Sequence, residues 1–283
     1  MFGRDRIEYK TADQVRLMRR AGLVVADALA AVRAQARAGL TTAQLDQIAA
    51  DVIRSAGATA SFLGYDGFPA TLCVSVNEEI VHGIPGPRVL AAGDVVSVDC
   101  GAIVEGWHGD SATSFVLPGA DPLDAELVAA TESAMWAGIA ALATGDRLGR
   151  VGEAVEDAVD AAQAAGANAG ARYGVVQEYV GHGIGSAMHQ APDVLNYRTR
   201  DRGPRLRPGM CLAVEPMLVR GGRGTQVLAD DWTVVTDDGS RAAHWEHSVA
   251  LLDAGIWVLT APDGGAERLA ALGVVVAPLP PER

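Results

Sequence analysis

Lysine is almost absent from this 283-residue chain. The only lysine is Lys10, although lysine and arginine together number 23, and the formal net charge is −12. Schiff-base, pyridoxal and P-loop chemistry each need a lysine in a buried or phosphate-facing site, whereas Lys10 lies in a polar leader before the first predicted helix. We therefore exclude these reaction classes. The acidic balance also argues against nucleic-acid binding, which requires a basic surface.

Cysteines and long apolar runs are scarce as well. Cys73, Cys100 and Cys211 lie far apart without a CxxC motif, so neither disulfides nor a thiolate zinc site are expected. The first residues lack the apolar core of a signal peptide, and no apolar run reaches the ~20 residues needed to cross a bilayer. The sequence therefore predicts a cytoplasmic protein that binds neither membranes nor nucleic acids.

The chain repeats one order of elements, in which two helices are followed by strands. Two capping boxes and one Asp-Pro N-cap mark helix starts, namely Thr11 with Gln14, Thr41 with Gln44, and Asp121 with Pro122. A fourth helix is expected to end near Gly166. The predicted strands are Leu72–Val76, Val95–Ile103, Trp107–Leu117, Val175–Val180, Cys211–Val219, Trp232–Val235 and His247–Leu252. This order predicts an internally duplicated α+β fold with a mainly antiparallel sheet.

The repeat also predicts the domain organisation. We expect a single catalytic domain over residues 11–260, with repeated halves at about 11–118 and 121–255. Residues 1–10 are expected to form a leader, and residues 261–283 a C-terminal tail. In a duplicated fold the functional site is expected between the halves, where both can supply side chains.

Two aspartates lie on a predicted hairpin of apolar strands. If Glu105-Gly106 is a two-residue turn, Asp99 faces Ala112 and Asp110 faces Gly101, which places both carboxylates on one face as diagonal neighbours. Buried carboxylates this close must take up a proton or bind a cation, and a pair of divalent metal ions is the natural partner. A pair of solvent-exposed acids is the alternative that the hairpin leaves open.

Further candidate ligands lie in apolar surroundings in the second half. His182 stands between glycines in the segment GHGIG, seven residues before His189, and imidazole is a common ligand of divalent ions. Glu215 lies among apolar strand residues, and Glu246 begins another apolar strand, where a carboxylate needs a partner. Each residue taken alone is also compatible with a structural role. Together, oxygen ligands with one imidazole suit Mn, Fe, Co or Zn.

These motifs resemble those of the type I methionine aminopeptidases of peptidase family M24, which have the pita-bread fold. The resemblance runs from about Thr11 to Leu259 and rests on HG after NEEIV, Asp-x10-Asp, GHGIG with its following histidine, EP, and EH. It implies a monomeric enzyme that removes the N-terminal methionine from nascent proteins at the ribosome and prefers a small second residue.

The resemblance also implies a dinuclear metal centre holding Co, Mn, Fe or Zn. Its ligands would be Asp99, Asp110, His182, Glu215 and Glu246. A metal-bridging hydroxide would attack the first peptide carbonyl, with Glu215 as proton shuttle. His189 would stabilise the oxyanion, and His82 would hydrogen-bond the scissile amide or its neighbour.

The family's substrate pocket maps onto mostly apolar and aromatic positions of this chain. These positions are Phe62, Tyr65, Phe68, Cys73, His82, Met188, His189 and Trp232. Such a lining suits an unbranched thioether side chain. Four residues differ from those expected in the family, namely Phe62, Met188, Ala242 (Ser expected) and His244 (Gln expected), and they leave the implied ligand set intact.

Two alternatives share the fold. Prolidase and aminopeptidase P are expected to carry an additional N-terminal domain, and the sequence offers no room for one before Thr11. A metal-free, peptide-binding relative is expected to have lost ligands, whereas all five are present. The sequence therefore favours a metal-dependent methionine aminopeptidase.

Overall fold

Two helix pairs pack against a nine-stranded antiparallel sheet in the computed structural model, which describes residues 6–165 and 172–279. The helices are α1 (Ala12–Gln35), α2 (Thr42–Ser55), α3 (Pro122–Thr144), α4 (Arg150–Ala165) and α5 (Ala266–Ala271). Helices α1 and α2 precede the strands of the first half, and α3 and α4 precede those of the second. The predicted end of the fourth helix near Gly166 lies outside the described residues.

The described strands form one large sheet and two small ones. They are β1 (Thr59–Ala60), β2 (Leu72–Val76), β3 (Glu79–Val81), β4 (Val95–Val104), β5 (Trp107–Val116), β6 (Gly174–Val175), β7 (Gly181–Gly183), β8 (Gln190–Val194), β9 (Cys211–Val214), β10 (Met217–Val219), β11 (Thr225–Val227), β12 (Val234–Thr236), β13 (Ala242–His244), β14 (Glu246–Leu252) and β15 (Gly255–Val258). The large sheet has the order β1-β4-β5-β14-β9-β7-β8, with β2 on β4 and β15 on β14. The small sheets have the orders β13-β10-β6 and β11-β12-β3.

The predicted helix starts are confirmed. Thr11 and Thr41 each accept from the backbone N–H three residues on, and the glutamine at that position accepts from the backbone N–H of the threonine. Each capping box therefore satisfies two backbone donors that the first turn leaves free. Asp121 caps α3 through a hydrogen bond from the Leu123 N–H, and Pro122 occupies the first helical position.

The hairpin β4–β5 has the predicted register and joins the two halves of the sheet. Asp99 pairs with Ala112, and Gly101 pairs with Asp110. Strand β5 also pairs with β14, where Ala112 lies opposite Glu246. The large sheet is therefore continuous across the duplication, and strands from both halves meet at Ala112.

Each half has its own hydrophobic core. In the first half, residues of α1 and α2 such as Val25 and Leu45 pack on β2 and β4. In the second half, residues of α3 and α4 such as Ile139 and Val155 pack on β9 and β14. Burial of apolar surface stabilises a fold by about 25 cal/mol per Å², so these two cores supply the main stabilisation. They also hold in place the large sheet that carries the polar residues of the site.

Helix α3 is the one helix among the described residues that is long and apolar enough to cross a membrane by length and composition. Thr131, Glu132 and Ser133 interrupt it, so the sequence shows no continuous apolar run there. Half of its apolar window is buried inside the protein. Its buried face packs on α4, as expected of a core helix.

Three predicted strands differ from the structure, one of them only in its bounds, since the strand predicted at Trp232–Val235 is Val234–Thr236. Val175–Val180 forms a strand only at Gly174–Val175, and the chain then turns toward β7. The predicted strand Cys211–Val219 is interrupted between β9 and β10, because Pro216 lacks the N–H that a continuous ladder requires. This interruption places Glu215 at the junction of the large sheet and a small one.

Lys10 is buried rather than part of a solvated leader. Its side chain is 2% exposed, and its ammonium lies 3.3 Å from a carboxylate oxygen of Glu8. It donates hydrogen bonds to the Glu8 carbonyl and to Gln190 Oε1. Ser186 donates both its backbone N–H and its hydroxyl to the Glu8 carboxylate. This polar cluster ties the N-terminal segment to the loop between His182 and His189.

Replacing Lys10 by methionine is therefore expected to destabilise the protein by about 2 kcal/mol, since the hydrogen bonds of a charged group are lost from a largely buried position. Urea denaturation measures the change. The matched control is Arg20→Met, which removes an ion pair with Glu105 whose side chains are 59% and 61% exposed. That change should cost less than about 1 kcal/mol. Equal effects of the two substitutions would contradict the structural role of Lys10.

Candidate metal centre and active site

Three adjacent strands bring three acids to one face of the large sheet. Ala112 of β5 lies opposite Asp99 of β4 on one side and opposite Glu246 of β14 on the other. Asp110 stands two residues before Ala112, on the same face, because side chains alternate along a strand. The backbone of Asp110 is held by Ser248, whose hydroxyl accepts from the Asp110 N–H and donates to its carbonyl.

Strand β7 brings His182 to the same region from the second half. The flanking glycines permit this placement, because a Cβ on Gly181 would lie 2.3 Å from the Ala213 carbonyl oxygen and one on Gly183 would lie 2.2 Å from that of Ala191. Ligand atoms of Asp110, His182 and Glu246 lie within 4.8 Å of one another. This group therefore has the size and composition of a divalent metal site.

Glu215 completes the arrangement beside His182. One of its carboxylate oxygens, Oε1, lies 3.4 Å from His182 Nε2. His182 Nδ1 lies 3.0 Å from the Gly183 carbonyl, which can only accept, so the ring proton sits on Nδ1 and Nε2 presents a lone pair. Glu215 Oε1 and His182 Nε2 are thus two acceptors 3.4 Å apart with no proton between them. This arrangement becomes favourable when both atoms bind the same cation.

The electrostatics of the cluster also favour a bound cation, since without one the buried carboxyls retain their protons. Burial, followed by the mutual repulsion of the carboxylates, raises the pKa of Asp110 and Glu246 well above the usual range. The pKa of Glu215 is raised in the same way, and that of Asp99 to about 7, mainly by burial. Burial and the neighbouring His189 lower the pKa of His182 to about 4, so its ring is neutral and able to ligate.

The hydrogen bonding of the acids tests whether a metal fits. Asp99 Oδ1, Asp110 Oδ1 and Glu246 Oε1 are buried atoms without a hydrogen-bond partner. Buried polar atoms are normally satisfied, and three unpartnered carboxylate oxygens in one place are costly without a cation. Oxygen donors with one imidazole nitrogen suit Mn, Fe, Co or Zn. The donor set therefore fits divalent metal.

The predicted substrate residues line the same cavity as the predicted ligands. The cavity has a volume of about 90 Å³. Its wall includes Phe62, Tyr65, Phe68, Cys73, His82, Met188, His189 and Trp232, together with Asp99, Asp110, His182, Glu215 and Glu246. The structure thus brings every predicted ligand and substrate-pocket residue to one place. The individual roles assigned to them stay predictions.

The apolar side of the cavity is built from aromatic edges and a thioether. The ring of Phe68 meets Trp232 edge-on, with centroids 5.0 Å apart, and meets Phe62 at 6.4 Å. Cys73 and Met188 pack in the same cluster and are almost fully buried. This side has no charged group and lines the same cavity as the carboxylates, with Cys73 directly opposite Asp99 on the neighbouring strand.

Two more histidines, His189 and His82, line the cavity. His189 Nδ1 lies 2.8 Å from the Tyr65 hydroxyl, and its ring meets that of His182 at 4.5 Å between centroids. His82 stacks edge-on against Tyr179 and holds a positive φ of 59°, which is uncommon outside glycine. Burial lowers the pKa of both rings, that of His82 to about 4. Both are therefore neutral hydrogen-bonding groups near neutral pH.

Two polar contributors were not singled out as site residues from the sequence. His244 lines the cavity, although the sequence marked it only as a departure from the family. Asn196 is fully buried and donates from Nδ2 to the Glu215 carbonyl at 3.2 Å. In the sequence, Asn196 is an isolated asparagine in the segment VLNY. Any loop can contain such a residue, so nothing in the sequence marked it as part of a site.

A larger concavity lies elsewhere on the protein. Its volume is about 830 Å³, and it is lined by residues including Glu156, Tyr173 and Arg223. It includes none of the predicted site residues and no histidine or cysteine. We therefore place the chemistry in the smaller cavity, where acids, histidines and an apolar wall converge.

Fold and site together are those of a metallohydrolase with an apolar pocket beside its candidate metal centre. The model of Metallopeptidase family M24 matches residues 16–252. The chain is 49% identical over 259 residues to methionine aminopeptidase 1 of Mycobacterium tuberculosis, covering 91% of this chain and 96% of that protein. It is 43% identical over 251 residues to methionine aminopeptidase 1 of Bacillus subtilis, covering 89% and 98%. The chain belongs to metallopeptidase family M24.

Solved structures support the same assignment. The crystal structure of methionine aminopeptidase from Thermotoga maritima superposes with a TM-score of 0.84 at 37% identity, covering 90% of this chain and 99% of that one. Prolidase from Pyrococcus furiosus superposes with a TM-score of 0.68 at 16% identity, covering 89% and 65%, and shares the fold. The pita-bread fold and the resemblance to the methionine aminopeptidases are thus confirmed.

Proposed function

We propose that this chain is a methionine aminopeptidase that uses two divalent metal ions. It releases the N-terminal methionine from peptides and nascent proteins with a small second residue. The observation that carries the proposal is a single cavity in which an uncharged, sulfur- and aromatic-lined pocket faces buried carboxylates and His182. The similarity to proteins named methionine aminopeptidase, at 49% and 43% identity over nearly the whole chain, supports the same activity.

The metal ions would be held by residues from both halves of the fold. The proposed ligands are Asp99, Asp110, His182, Glu215 and Glu246. By the family resemblance, Asp110 and Glu246, whose ligand atoms lie close to each other and to that of His182, would contribute to holding both ions. His182 and Glu215 would hold one ion, and Asp99 the other. When bound, the ions lower the pKa of water to give a nucleophile at neutral pH and polarise the peptide carbonyl.

Residues of the chain supply proton transfer and orientation. Glu215 accepts the proton of the attacking water on a carboxylate oxygen and passes it to the leaving amine. His189 donates a hydrogen bond to the developing oxyanion, while His82 holds the scissile amide or its neighbour. Asp99 lies farthest along the sheet from His182 among the proposed ligands. By the family resemblance, the substrate's α-amine would bind on the Asp99 side of the centre, which would restrict cleavage to the first residue.

The pocket sets the choice of first residue. Phe62, Phe68, Cys73, Met188 and Trp232 present carbon and sulfur atoms, and the cavity they help to line is only about 90 Å³ in volume. An unbranched thioether matches this lining in polarity and flexibility, whereas a charged side chain would lose its hydration without a partner. Methionine is therefore the preferred first residue.

The assay that tests the proposal compares two tripeptides. The metal-loaded protein should release methionine from Met-Ala-Ser far faster than from Met-Lys-Ser, and a chelator should abolish release. Addition of Mn, Co, Fe or Zn in turn, with release measured each time, identifies the metals that support activity. Release that persists in chelator, or none with any of these metals, would reject the proposal. Preference for a proline in second place after a first residue other than methionine would favour an aminopeptidase P-like activity.

The setting of the reaction is part of the same proposal. We place the enzyme in the cytoplasm as a monomer, with a catalytic domain over residues 11–260 that acts on nascent chains at the ribosome. The net charge of −12 supports action on polypeptides without direct nucleic-acid binding. Sedimentation of the purified protein measures the oligomeric state.

A further inference from the structure

His244 is a buried side chain whose chemistry the proposed mechanism does not use. It ends strand β13, where it pairs with Met217 of β10, and its side chain is 2% exposed. The Ser114 hydroxyl fixes its backbone by accepting from the His244 N–H at 2.9 Å and donating to its carbonyl at 2.7 Å. The position of the ring is thus set by two strands rather than by a loop.

The ring nitrogen of His244 points at the carboxylate of Glu215. Nε2 is buried, has no hydrogen-bond partner and lies 3.7 Å from Glu215 Oε2. The other carboxylate oxygen, Oε1, lies 3.4 Å from His182 Nε2. Glu215 therefore stands between two imidazoles, each of which faces a different oxygen.

The two imidazoles differ in what they can offer to the carboxylate. His182 carries its proton on Nδ1, which donates to the Gly183 carbonyl, and presents an Nε2 lone pair suited to a cation. A neutral His244 with its proton on Nε2 instead presents a donor, which is the group an ionised carboxylate oxygen needs in a buried place. Closure of the 3.7 Å separation by less than 1 Å gives a normal hydrogen bond.

We propose that His244 is a positioning residue that donates an Nε2–H hydrogen bond to Glu215 Oε2 and so turns Oε1 toward the cation held with His182. His244 is not itself a metal ligand. The hydrogen bond stabilises the ionised carboxylate, which is the form that binds metal, and it limits rotation of the carboxylate about its terminal bond. This inference rests on the proposed function, in which Glu215 and His182 bind a divalent ion.

Substitutions at position 244 test the donor directly. His244→Leu removes the donor and keeps an apolar side chain, whereas His244→Gln offers an amide N–H at a similar reach. Outer-shell partners of metal ligands typically change metal affinity by roughly 10–100-fold. We expect that loss for His244→Leu in calorimetric titration of the metal-stripped protein with Mn²⁺. His244→Gln should remain within about threefold of the unsubstituted protein, since it restores the donor.

The controls separate positioning from folding and from direct ligation. The melting temperature of each metal-stripped variant reports folding, and His244→Asn, whose amide is one methylene shorter than that of glutamine, provides a second donor-deficient variant if His244→Leu does not fold. The Co²⁺ absorption spectrum of the loaded variants should keep its band positions, because the ligand set is unchanged. Displaced bands in both His244→Leu and His244→Gln would show that His244 is a ligand and overturn the inference.

The result can be told apart from failure of the proposed function. If the unsubstituted protein binds no Mn²⁺ and releases no methionine, the proposed function fails. If the unsubstituted protein binds Mn²⁺ and His244→Leu binds it equally well, or His244→Gln loses as much affinity as His244→Leu, only the role of His244 is refuted.

Discussion

Asp110→Asn is expected to lower methionine release by at least about 10³-fold, equivalent to about 4 kcal/mol of transition-state stabilisation. Asp110 is one of the two acids whose ligand atoms lie within 4.8 Å of each other and of a ring nitrogen of His182, so an amide in its place weakens the hold on the metal ions. Activity and bound metal should therefore fall together. Methionine release and elemental analysis after gel filtration measure the two quantities.

The same substitution should stabilise the metal-stripped protein at alkaline pH. The raised pKa values of Asp99, Asp110, Glu215 and Glu246 mean that the folded state retains protons that the unfolded state has released, so stability falls as the pH rises. Histidines with lowered pKa values oppose this trend only below their unfolded pKa of about 6.5. Asp99, with a pKa of about 7, contributes mainly below pH 7. Above pH 7 the dependence comes from Asp110, Glu215 and Glu246, joined near pH 9 by the buried thiols, whose pKa burial also raises, and Asp110→Asn removes one of the carboxyls.

Thermal melting in chelator at pH 7 and pH 9 measures this effect. The unsubstituted protein should lose melting temperature between the two pH values, and Asp110→Asn should lose less. Asp27→Asn, at an exposed position of α1, is the matched control and should follow the unsubstituted protein in activity, metal content and melting. Full activity of Asp110→Asn, or melting that is equally pH-dependent in both proteins, would contradict the arrangement of buried acids described above.

His189→Ala is expected to reduce kcat by roughly 10²–10³-fold, the usual effect of removing one oxyanion donor, while the metal stays bound. The histidine lies beside the metal-binding group, with its ring against that of His182, but it is not among the proposed ligands. Stopped assays with Met-Ala-Ser give kcat, and elemental analysis gives the metal content. His82→Ala should also slow turnover without metal loss.

Tyr65→Phe provides the control for His189. It removes only the hydroxyl that lies 2.8 Å from His189 Nδ1, so it should cost about 1 kcal/mol, a several-fold loss of rate. Because the hydroxyl acts through His189, Tyr65→Phe should have little further effect in the His189→Ala background. Loss of metal from His189→Ala, or a full additional effect of Tyr65→Phe, would show that the assigned roles are wrong.

Local sequence rules were sufficient where one short segment determines the geometry. The turn at Glu105-Gly106 fixed the register of Asp99 and Asp110, because alternation along an antiparallel hairpin leaves one solution once the turn is known. The caps at Thr11 and Thr41 likewise depend on hydrogen bonds within four residues. The spacing of family motifs then supplied candidate residues that the fold gathers in one cavity.

The contacts between residues far apart in the sequence could not be predicted from such local rules. The meeting of Glu246 with Ala112 depends on a pairing between strands more than 100 residues apart, and only the family resemblance indicated it. The proximity of His244 to Glu215 results from the break between β9 and β10 at Pro216, combined with the pairing of β10 and β13. The burial of Lys10 depends on Glu8, Ser186 and Gln190, and no local pattern predicts that contact.

Because Lys10 is buried, chemical labelling of its amine reports when the structure around it opens. Acylating reagents attack an uncharged, exposed amine, and this chain has one ε-amine, which is enclosed by Glu8 and the loop that leads to His189. The rate at which the Lys10 peptide acquires label, followed by mass spectrometry, thus measures how often the N-terminal segment detaches from that loop. Because the chain has a single lysine and its side chain is only 2% exposed, labelling of that lysine reports local unfolding at one site, beside the active site.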